Sequence, residues 1–258
     1  MLRTLRSLPL YRPGIAYVLD TLYLAPSQRS PANSMRSCRF AAPPADLPTT
    51  TAPLPASRSA HSLAADSAFE PLPAGALEPT AAELAMLVNE FYSTIASANS
   101  GGELGSMGER DLGVVFQGDG DPLECVGVVL ETVGLVAQER NGIAFRLNTL
   151  GLCDDATLQL LLVSNVLARG DADRRRETRI ATVSVFLPAA DATQYNLLLQ
   201  PRAGRGFADV CNFVATLADA GVDVECTAVA RPDVDVTKVE ALAMGLGART
   251  FRTRSFIT

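Results

Sequence analysis

The second half of the chain alternates between short apolar runs and segments with helical spacing, and this alternation limits the folds open to it. The apolar runs have strand composition and lie at residues 112–116, 143–148, 180–187, 222–229 and 248–256. Between them, apolar residues recur at helical spacing in residues 123–138, 154–167, 191–199, 207–220 and 235–245. The pattern predicts an α/β fold with parallel strands and right-handed crossovers.

An earlier apolar run in residues 15–26 contains Leu22-Tyr23-Leu24 and predicts one more short strand. With it the chain has about six parallel strands, which are too few for a closed eight-stranded barrel. We therefore expect a partial (β/α) TIM-like barrel, and an open doubly wound sheet is the alternative. In both architectures ligands bind at the carboxyl ends of the strands.

The first 14 residues have the composition of a targeting segment. They carry arginines among leucines and serines, and the first acidic residue of the chain is Asp20. This composition is typical of an organellar transit peptide, and an ordinary disordered N-terminus is the alternative. The chain has no apolar run of membrane-spanning length. We therefore expect an intracellular protein, mitochondrial or cytoplasmic, without a membrane partner.

Residues 41–79 interrupt the alternating pattern. They are rich in proline, alanine, serine and threonine, and such a segment cannot bury enough apolar surface to offset its ordering entropy. We expect a disordered insertion, which separates the first strand and its loop, within residues 15–40, from the rest of the barrel in residues 80–258. Thr80-Ala81-Ala82-Glu83 is a capping box, so a helix should begin there.

Charge and cysteine usage exclude several classes of function. The formal net charge is −6, whereas nucleic-acid binders depend on basic residues that neutralise phosphates, so we expect no nucleic-acid partner. The cysteines lack a C-x-x-C pair, which indicates reduced thiols; they are Cys38, Cys125, Cys153, Cys211 and Cys226. A zinc site is excluded, because His61 is the single histidine and no ligand spacing exists.

A glycine-aspartate loop follows the apolar run at residues 112–116. It reads Gly118-Asp119-Gly120-Asp121-Pro122, the pattern of a buried strand that ends in a tight loop. Glycine permits close backbone approach, and the aspartates offer acceptors for an ammonium group or ribose hydroxyls. The loop is therefore a candidate ligand site, and a turn without a ligand is the alternative interpretation.

The order of several segments in residues 112–258 resembles the radical SAM proteins associated with the TatD family. The segments are VVFQGDGDP, FRLNTLGL, VSVFLPAADATQYNLLLQPR and VECTAVARPDVDV. In that family the corresponding motifs are Gly-x-Gly-Glu-Pro, R-x-N-T-N-G-L and V-S-V-S-L-N, followed by a tyrosine-containing helix and a P-R pair. The resemblance implies a radical SAM-like barrel that holds a [4Fe–4S] cluster and S-adenosylmethionine.

The resemblance also implies which residues would contact S-adenosylmethionine. It assigns the ammonium group to the loop formed by Gly118, Asp119, Gly120 and Asp121, and it places Asn148 and Ser184 at the ribose or carboxylate. The chain departs from the family motifs at several positions: Asp121 replaces a glutamate, a charged Asp119 lies between the two glycines, and Leu150 and Pro188 each replace an asparagine.

The cluster motif shows a larger departure. Aligned from Leu-Tyr-Leu to Arg29, the family's three cysteine positions fall on Ser30, Ser34 and Ser37, which keep the spacing of the motif. A serine hydroxyl does not replace a thiolate as an ordinary cluster ligand. Cys38 lies one residue beyond the third position and could supply one ligand at most.

Three hypotheses follow for the function. The first is a degenerate radical SAM-like protein that holds no cluster, has no catalytic residues and acts as a binding or scaffold protein with residual affinity for S-adenosylmethionine. The alternative is an active enzyme whose unusual cluster uses Cys38 with Cys125 or Cys153. A different α/β enzyme is the third, but the sequence lacks the phosphate-binding, dinucleotide and nucleophile-elbow motifs. The physiological substrate or partner is not predicted.

Overall fold

The computed structural model describes residues 15–18, 21–32, 72, 75–100, 113–118, 120–170 and 177–256. Its strands form one sheet in chain order: β1 Ala16–Val18, β2 Leu22–Leu24, β3 Val114–Phe116, β4 Ala144–Thr149, β5 Arg179–Phe186, β6 Val224–Ala230 and β7 Thr250–Ser255. The six strands β2–β7 are parallel, and β1 pairs with β2 in the antiparallel sense.

The strand order excludes the doubly wound alternative. Each new strand is added on the same side of the previous one, whereas a doubly wound sheet reverses its order at a switch point. No pairing joins β1 to β7 among the described residues, so the sheet remains open. The structure thus confirms a partial TIM-like barrel of six parallel strands.

Helices lie in the crossovers between the parallel strands. They are α1 Ala81–Ser100, α2 Val126–Glu139, α3 Asp155–Val163, α4 Ala192–Leu199, α5 Phe207–Asp219 and α6 Val236–Gly245, with a short 3₁₀ helix at Pro122–Cys125. The capping box before α1 forms as predicted: the amide of Glu83 donates to Thr80 Oγ1 at 3.3 Å, and the amide of Thr80 donates to Glu83 Oε2 at 2.8 Å. None of the described helices is long and apolar enough to cross a membrane.

The core lies between the sheet and the helices. Apolar residues of α1 and α2, among them Phe91, Val129 and Val133, are completely buried against the sheet. Phe116 of β3 and Phe145 of β4 stack with their ring centroids 5.2 Å apart. Full burial of each such side chain contributes about 1.5–3 kcal/mol. This packing holds the strands side by side and fixes the position of the loops at their ends.

The single strand expected in residues 15–26 is two strands in the structure. Asp20 and Thr21 interrupt the apolar run in the sequence, and the strands on either side pair in the antiparallel sense, with Val18 opposite Leu22. The predicted targeting segment (residues 1–14) and most of the predicted insertion (residues 41–79) lie outside the described residues, so both stay predictions.

Candidate functional site

A pocket opens at the carboxyl ends of the parallel strands. Residues from β3 to β7 and the loops that follow them line it: Gln117, Gly118, Gly120, Asp121, Asn148, Thr149, Leu150, Ser184, Phe186, Thr227 and Arg254. Ligands of parallel α/β proteins bind at this edge of the sheet. The structure therefore brings together five of the six residues assigned to S-adenosylmethionine, and the sixth, Asp119, lies outside the described residues.

The two glycines of the loop after β3 allow the loop after β2 to approach closely. A Cβ atom on Gly118 would lie 2.4 Å from the Cβ of Ala25, and one on Gly120 would lie 2.5 Å from the carbonyl oxygen of Ser27. Atoms at these separations overlap, so only glycine fits at either position. The contact between two loops thus requires both glycines, independently of any ligand.

Asp121 joins the loop after β3 to the end of β4. Its Oδ1 accepts the amide of Leu123 at 2.9 Å and caps the 3₁₀ helix, and its Oδ2 accepts the amide of Leu150 at 2.7 Å. The hydroxyl of Thr149 donates to the same carboxylate at 2.8 Å. Burial raises the pKa of Asp121, and these donors oppose that shift. The buried carboxylate accepts hydrogen bonds from both the 3₁₀ helix and the loop after β4, so it holds these two parts of the pocket wall together.

The loop after β2 is held in place by Glu78. The side chain of Glu78 accepts the hydroxyl of Ser27 at 3.0 Å and the amide of Gln28 at 2.9 Å, and it lies 3.4 Å from the guanidinium of Arg29. The amide of Asp121 donates to the carbonyl of Arg29 at 2.7 Å, which docks this loop onto the glycine loop. The polypeptide between β2 and residue 32 is therefore held by hydrogen bonds to Glu78 and to the glycine loop.

The donors described near this loop are one hydroxyl and two buried thiols. Ser30 is 9% exposed, and its Oγ accepts the amide of Ala32 at 3.2 Å, while Ser34, Ser37 and Cys38 lie outside the described residues. Burial raises the pKa of Cys125 and of Cys153 to about 12. Within the described ranges, no three His, Cys, Asp or Glu side chains form a metal-binding group.

Polar side chains cross the inner face of the sheet in two layers. In the layer next to the pocket, Asn148 donates to Gln117 Oε1 and accepts from Arg146 Nε at 2.9 Å. The deeper layer is formed by residues two positions earlier on β4, β6 and β7, which share the face of the pocket residues. These deeper residues are Arg146, Glu225 and Arg252.

Glu225 is the centre of the deeper layer. Its Oε1 accepts from the guanidiniums of Arg146 and Arg252, the latter at 3.0 Å, and from the hydroxyl of Ser184 at 3.2 Å. Ser184, which the sequence assigned to a ligand, therefore also supports this ion network. Arg254 lies above it at the pocket, where burial, followed by the like charges of Arg252 and Arg146, lowers its pKa to about 9.

Sequence reasoning missed several pocket residues, above all Gln117, Thr227 and Arg254. The last strand carries arginines two positions apart, Arg252 and Arg254, and one face of a strand receives both. An arginine pair on the inner face of a terminal strand is therefore a signal that could have indicated a charged site. Gln117 follows the buried β3 directly and could have been found by extending the strand one residue.

No protein-family model and no curated protein sequence matches the chain. Solved structures do match. SuiB of Streptococcus suis bound to S-adenosylmethionine is 12% identical, with a TM-score of 0.46 over 74% of this chain and 37% of SuiB. TYW1 with a lysine-pyruvate adduct bound is 11% identical, with a TM-score of 0.52 over 93% of this chain and 65% of TYW1.

The chain thus spans about a third of the length of SuiB and less than two thirds of the length of TYW1. At these identities the likeness shows the fold alone, and the match to TYW1 carries it. The six parallel strands of this chain form an open α/β sheet with helices in the crossovers, and the chain shares this fold with TYW1. The chain has a radical SAM-like fold.

Proposed function

We propose that this chain is a radical SAM-like protein that holds no [4Fe–4S] cluster and binds S-adenosylmethionine at the carboxyl ends of its strands. It would act as a binding or scaffold protein rather than as an enzyme. The observation that carries the proposal is the combination of a formed pocket at the family's ligand edge with hydroxyls at the family's cluster positions. The ordered motifs of residues 112–258 support a relationship to the TatD-associated family.

The pocket has the groups that an adenosyl ligand requires. Asn148 and Ser184 place an amide and a hydroxyl at the ends of neighbouring strands, where they could meet a ribose or a carboxylate. Phe186 and Leu150 supply apolar wall beside them, which suits the base of a nucleoside. The backbone at Gly118 and Gly120 forms the remaining side of the pocket and would face the methionine end.

Asp121 takes a positioning role in this proposal. Its oxygens already accept from the backbone of the 3₁₀ helix and from the loop after β4, so it holds both walls of the pocket at a fixed distance. Its charge also lies at the wall to which the resemblance assigns the ammonium group. Loss of the carboxylate would leave two buried amides without an acceptor and would loosen the methionine-binding side.

The donor chemistry at the loop after β2 supports the loss of the cluster. Ser30 accepts a backbone amide, and a hydroxyl in this role is already satisfied as a turn-forming group. The thiols of Cys125 and Cys153 both lie within the electrostatic influence of Asp121, and their raised pKa values keep them protonated at neutral pH. Without a cluster to supply an electron, S-adenosylmethionine would be bound and not cleaved.

Isothermal titration calorimetry with S-adenosylmethionine tests the binding proposal. We expect measurable heat with the wild-type protein, and about three- to tenfold weaker binding by Asn148→Ala, the effect of removing one hydrogen-bonding side chain. Asp121→Ala should weaken binding at least as much. Asp154→Ala is the matched control, because Asp154 caps the next helix along the chain but does not line the pocket.

Equal affinities for the wild type, Asn148→Ala and Asp121→Ala would contradict this site, as would the absence of heat with the wild type. Far-UV circular dichroism of each variant shows whether a loss of heat reflects unfolding. Asn148→Ser, which keeps a polar group and removes less volume, provides a second substitution if Asn148→Ala fails to fold.

A further inference from the structure

We propose that this pocket binds the oxyanion group of a small molecule, a carboxylate or a phosphate, on the guanidinium of Arg254. The inference rests on the proposed use of the pocket as a ligand site, but it does not depend on S-adenosylmethionine being the ligand. It assigns the binding of an oxyanion to Arg254, a residue that the sequence motifs did not include in the site.

The placement of Arg254 is the first observation. It lies near the end of β7 and lines the pocket together with Thr227 of β6 and Asn148 of β4. The guanidinium is thus enclosed by strand ends rather than extended into solvent from a loop. A side chain on a strand is held more firmly than one on a loop, and such a position favours binding of one defined group.

The charge balance of the inner face is the second observation. Arg146, Arg252 and Arg254 bring three guanidiniums to this face, and Glu225 brings one carboxylate. Glu225 Oε1 already accepts from Arg146 and Arg252, so the negative charge is shared in the deeper layer. Even with Asp121 counted as ionised, the charged groups named here leave the pocket positive.

The energetic state of Arg254 is the third observation. Burial and the like charges of Arg252 and Arg146 lower its pKa to about 9, so Arg254 is charged at neutral pH. An anion in the pocket would offset the excess of positive charge on this face. Arginine presents a planar fork of donors that matches the oxygens of a carboxylate or phosphate, and the hydroxyl of Thr227 adds a donor on the same face.

A thermal-shift experiment at constant ionic strength tests the inference. The full chain is heated in chloride, in inorganic phosphate and in acetate. A ligand that binds the folded state raises its melting temperature, so phosphate or acetate should raise Tm above the value in chloride. The larger shift of the two identifies the preferred oxyanion. Arg254→Gln should abolish the shift, and Arg254→Lys, which keeps the charge but loses the fork, should retain part of it.

Arg169→Gln is the charge-matched control. Arg169 pairs with Val222 just before β6, at the opposite end of the sheet, and should leave the anion shift unchanged. No shift in the wild type, or an equal shift in Arg254→Gln, would overturn the inference. If Arg254→Gln does not fold, an undiminished shift in Arg254→Lys would overturn it and a reduced shift would support it.

Calorimetry with S-adenosylmethionine separates this inference from the proposed function. An anion shift that depends on Arg254, found in a protein that gives no heat with S-adenosylmethionine, would overturn the proposed function and leave the oxyanion site standing. Heat with S-adenosylmethionine in a protein without an anion shift would overturn the oxyanion site and leave the proposed function standing.

Discussion

Single residues in the loop after β3 are constrained by contacts within the protein. Gly120 could be interpreted as a phosphate- or ligand-binding glycine, but its missing Cβ is required by the carbonyl oxygens of Ser27 and Arg29, at 2.5 and 2.6 Å from where that atom would lie. The carboxylate oxygens of Asp121 likewise accept hydrogen bonds from backbone amides. At the residue scale, the glycine-aspartate loop is a junction between two loops as well as a pocket wall.

Gly120→Ala should therefore destabilise the fold even without a ligand. The new methyl group meets backbone atoms that cannot move aside as a flexible side chain would, and overpacking of this kind costs about 1–3 kcal/mol. Urea unfolding followed by circular dichroism measures the change. Gly134→Ala in α2 is the control, since nothing lies within 4 Å of its Cβ position, and it should stabilise by about 1 kcal/mol. Equal stabilities of the two variants would contradict the loop–loop contact.

The buried thiols give a second prediction at this scale. Burial raises the pKa of Cys125, Cys153 and Cys226 to about 12, so few of these groups are thiolates at pH 8. We expect their alkylation by iodoacetamide in the folded protein to be about a hundredfold slower than that of a free cysteine. Peptide mapping by mass spectrometry at increasing pH measures it, with the urea-unfolded chain as the control. Rapid modification of Cys125 or Cys153 at pH 8 would contradict this prediction and would favour the alternative in which they are cluster ligands.

Several of the helices that follow the parallel strands begin at an aspartate. Asp121, Asp154, Asp191 and Asp235 each accept a backbone amide in the first turn of the following helix. An aspartate there satisfies an amide that the helix leaves free and places negative charge at the positive end of the helix dipole. These caps fix where each loop ends and the following helix begins.

Asp154→Ala should lower the free energy of unfolding by about 1 kcal/mol at pH 7. The hydrogen bonds from Thr157 lower the pKa of Asp154, so the contribution is present above the ordinary pKa of an unfolded aspartate and is lost as the pH falls through the lower folded value. Urea unfolding at a series of pH values measures this loss. Asp155→Ala is the control, because Asp155 is the adjacent acidic residue in the first turn and the structure uses Asp154 as the cap. A larger cost for Asp155→Ala would contradict the assignment.

The sequence predicted elements better than it predicted the site. The helical spacing before Phe91 and the capping box at Thr80 placed α1, because both signals are local. The order of the strands followed from their alternation with helices. Arg254 was missed because its charged environment is formed by Arg146 of β4 and Glu225 of β6. These residues are far from it in the sequence and come near it only in the folded sheet. The close contact between Gly118 and Ala25 could likewise not be predicted, because it depends on how the loop after β2 packs in the folded protein.

On the scale of the whole molecule, the fold is radical SAM-like, but the proposed function differs from radical SAM catalysis. The open sheet of six parallel strands is that of a radical SAM-like protein, and its pocket lies at the expected edge. The alignment drawn from the sequence resemblance would place serines at the positions of that family's cluster cysteines. The proposed function depends on this difference, because a hydroxyl does not serve as an ordinary ligand of a cluster iron.

Anaerobic reconstitution with ferrous iron and sulfide tests the proposed loss of the cluster most directly. Wild-type protein should remain colourless, without charge-transfer absorbance and without bound iron. The triple variant Ser30→Cys, Ser34→Cys, Ser37→Cys restores the motif and should turn brown, with about four irons per chain. A colourless triple variant would contradict the alignment of these serines with the cluster positions. A brown wild-type protein that forms 5′-deoxyadenosine on reduction would show an active enzyme and would contradict the account.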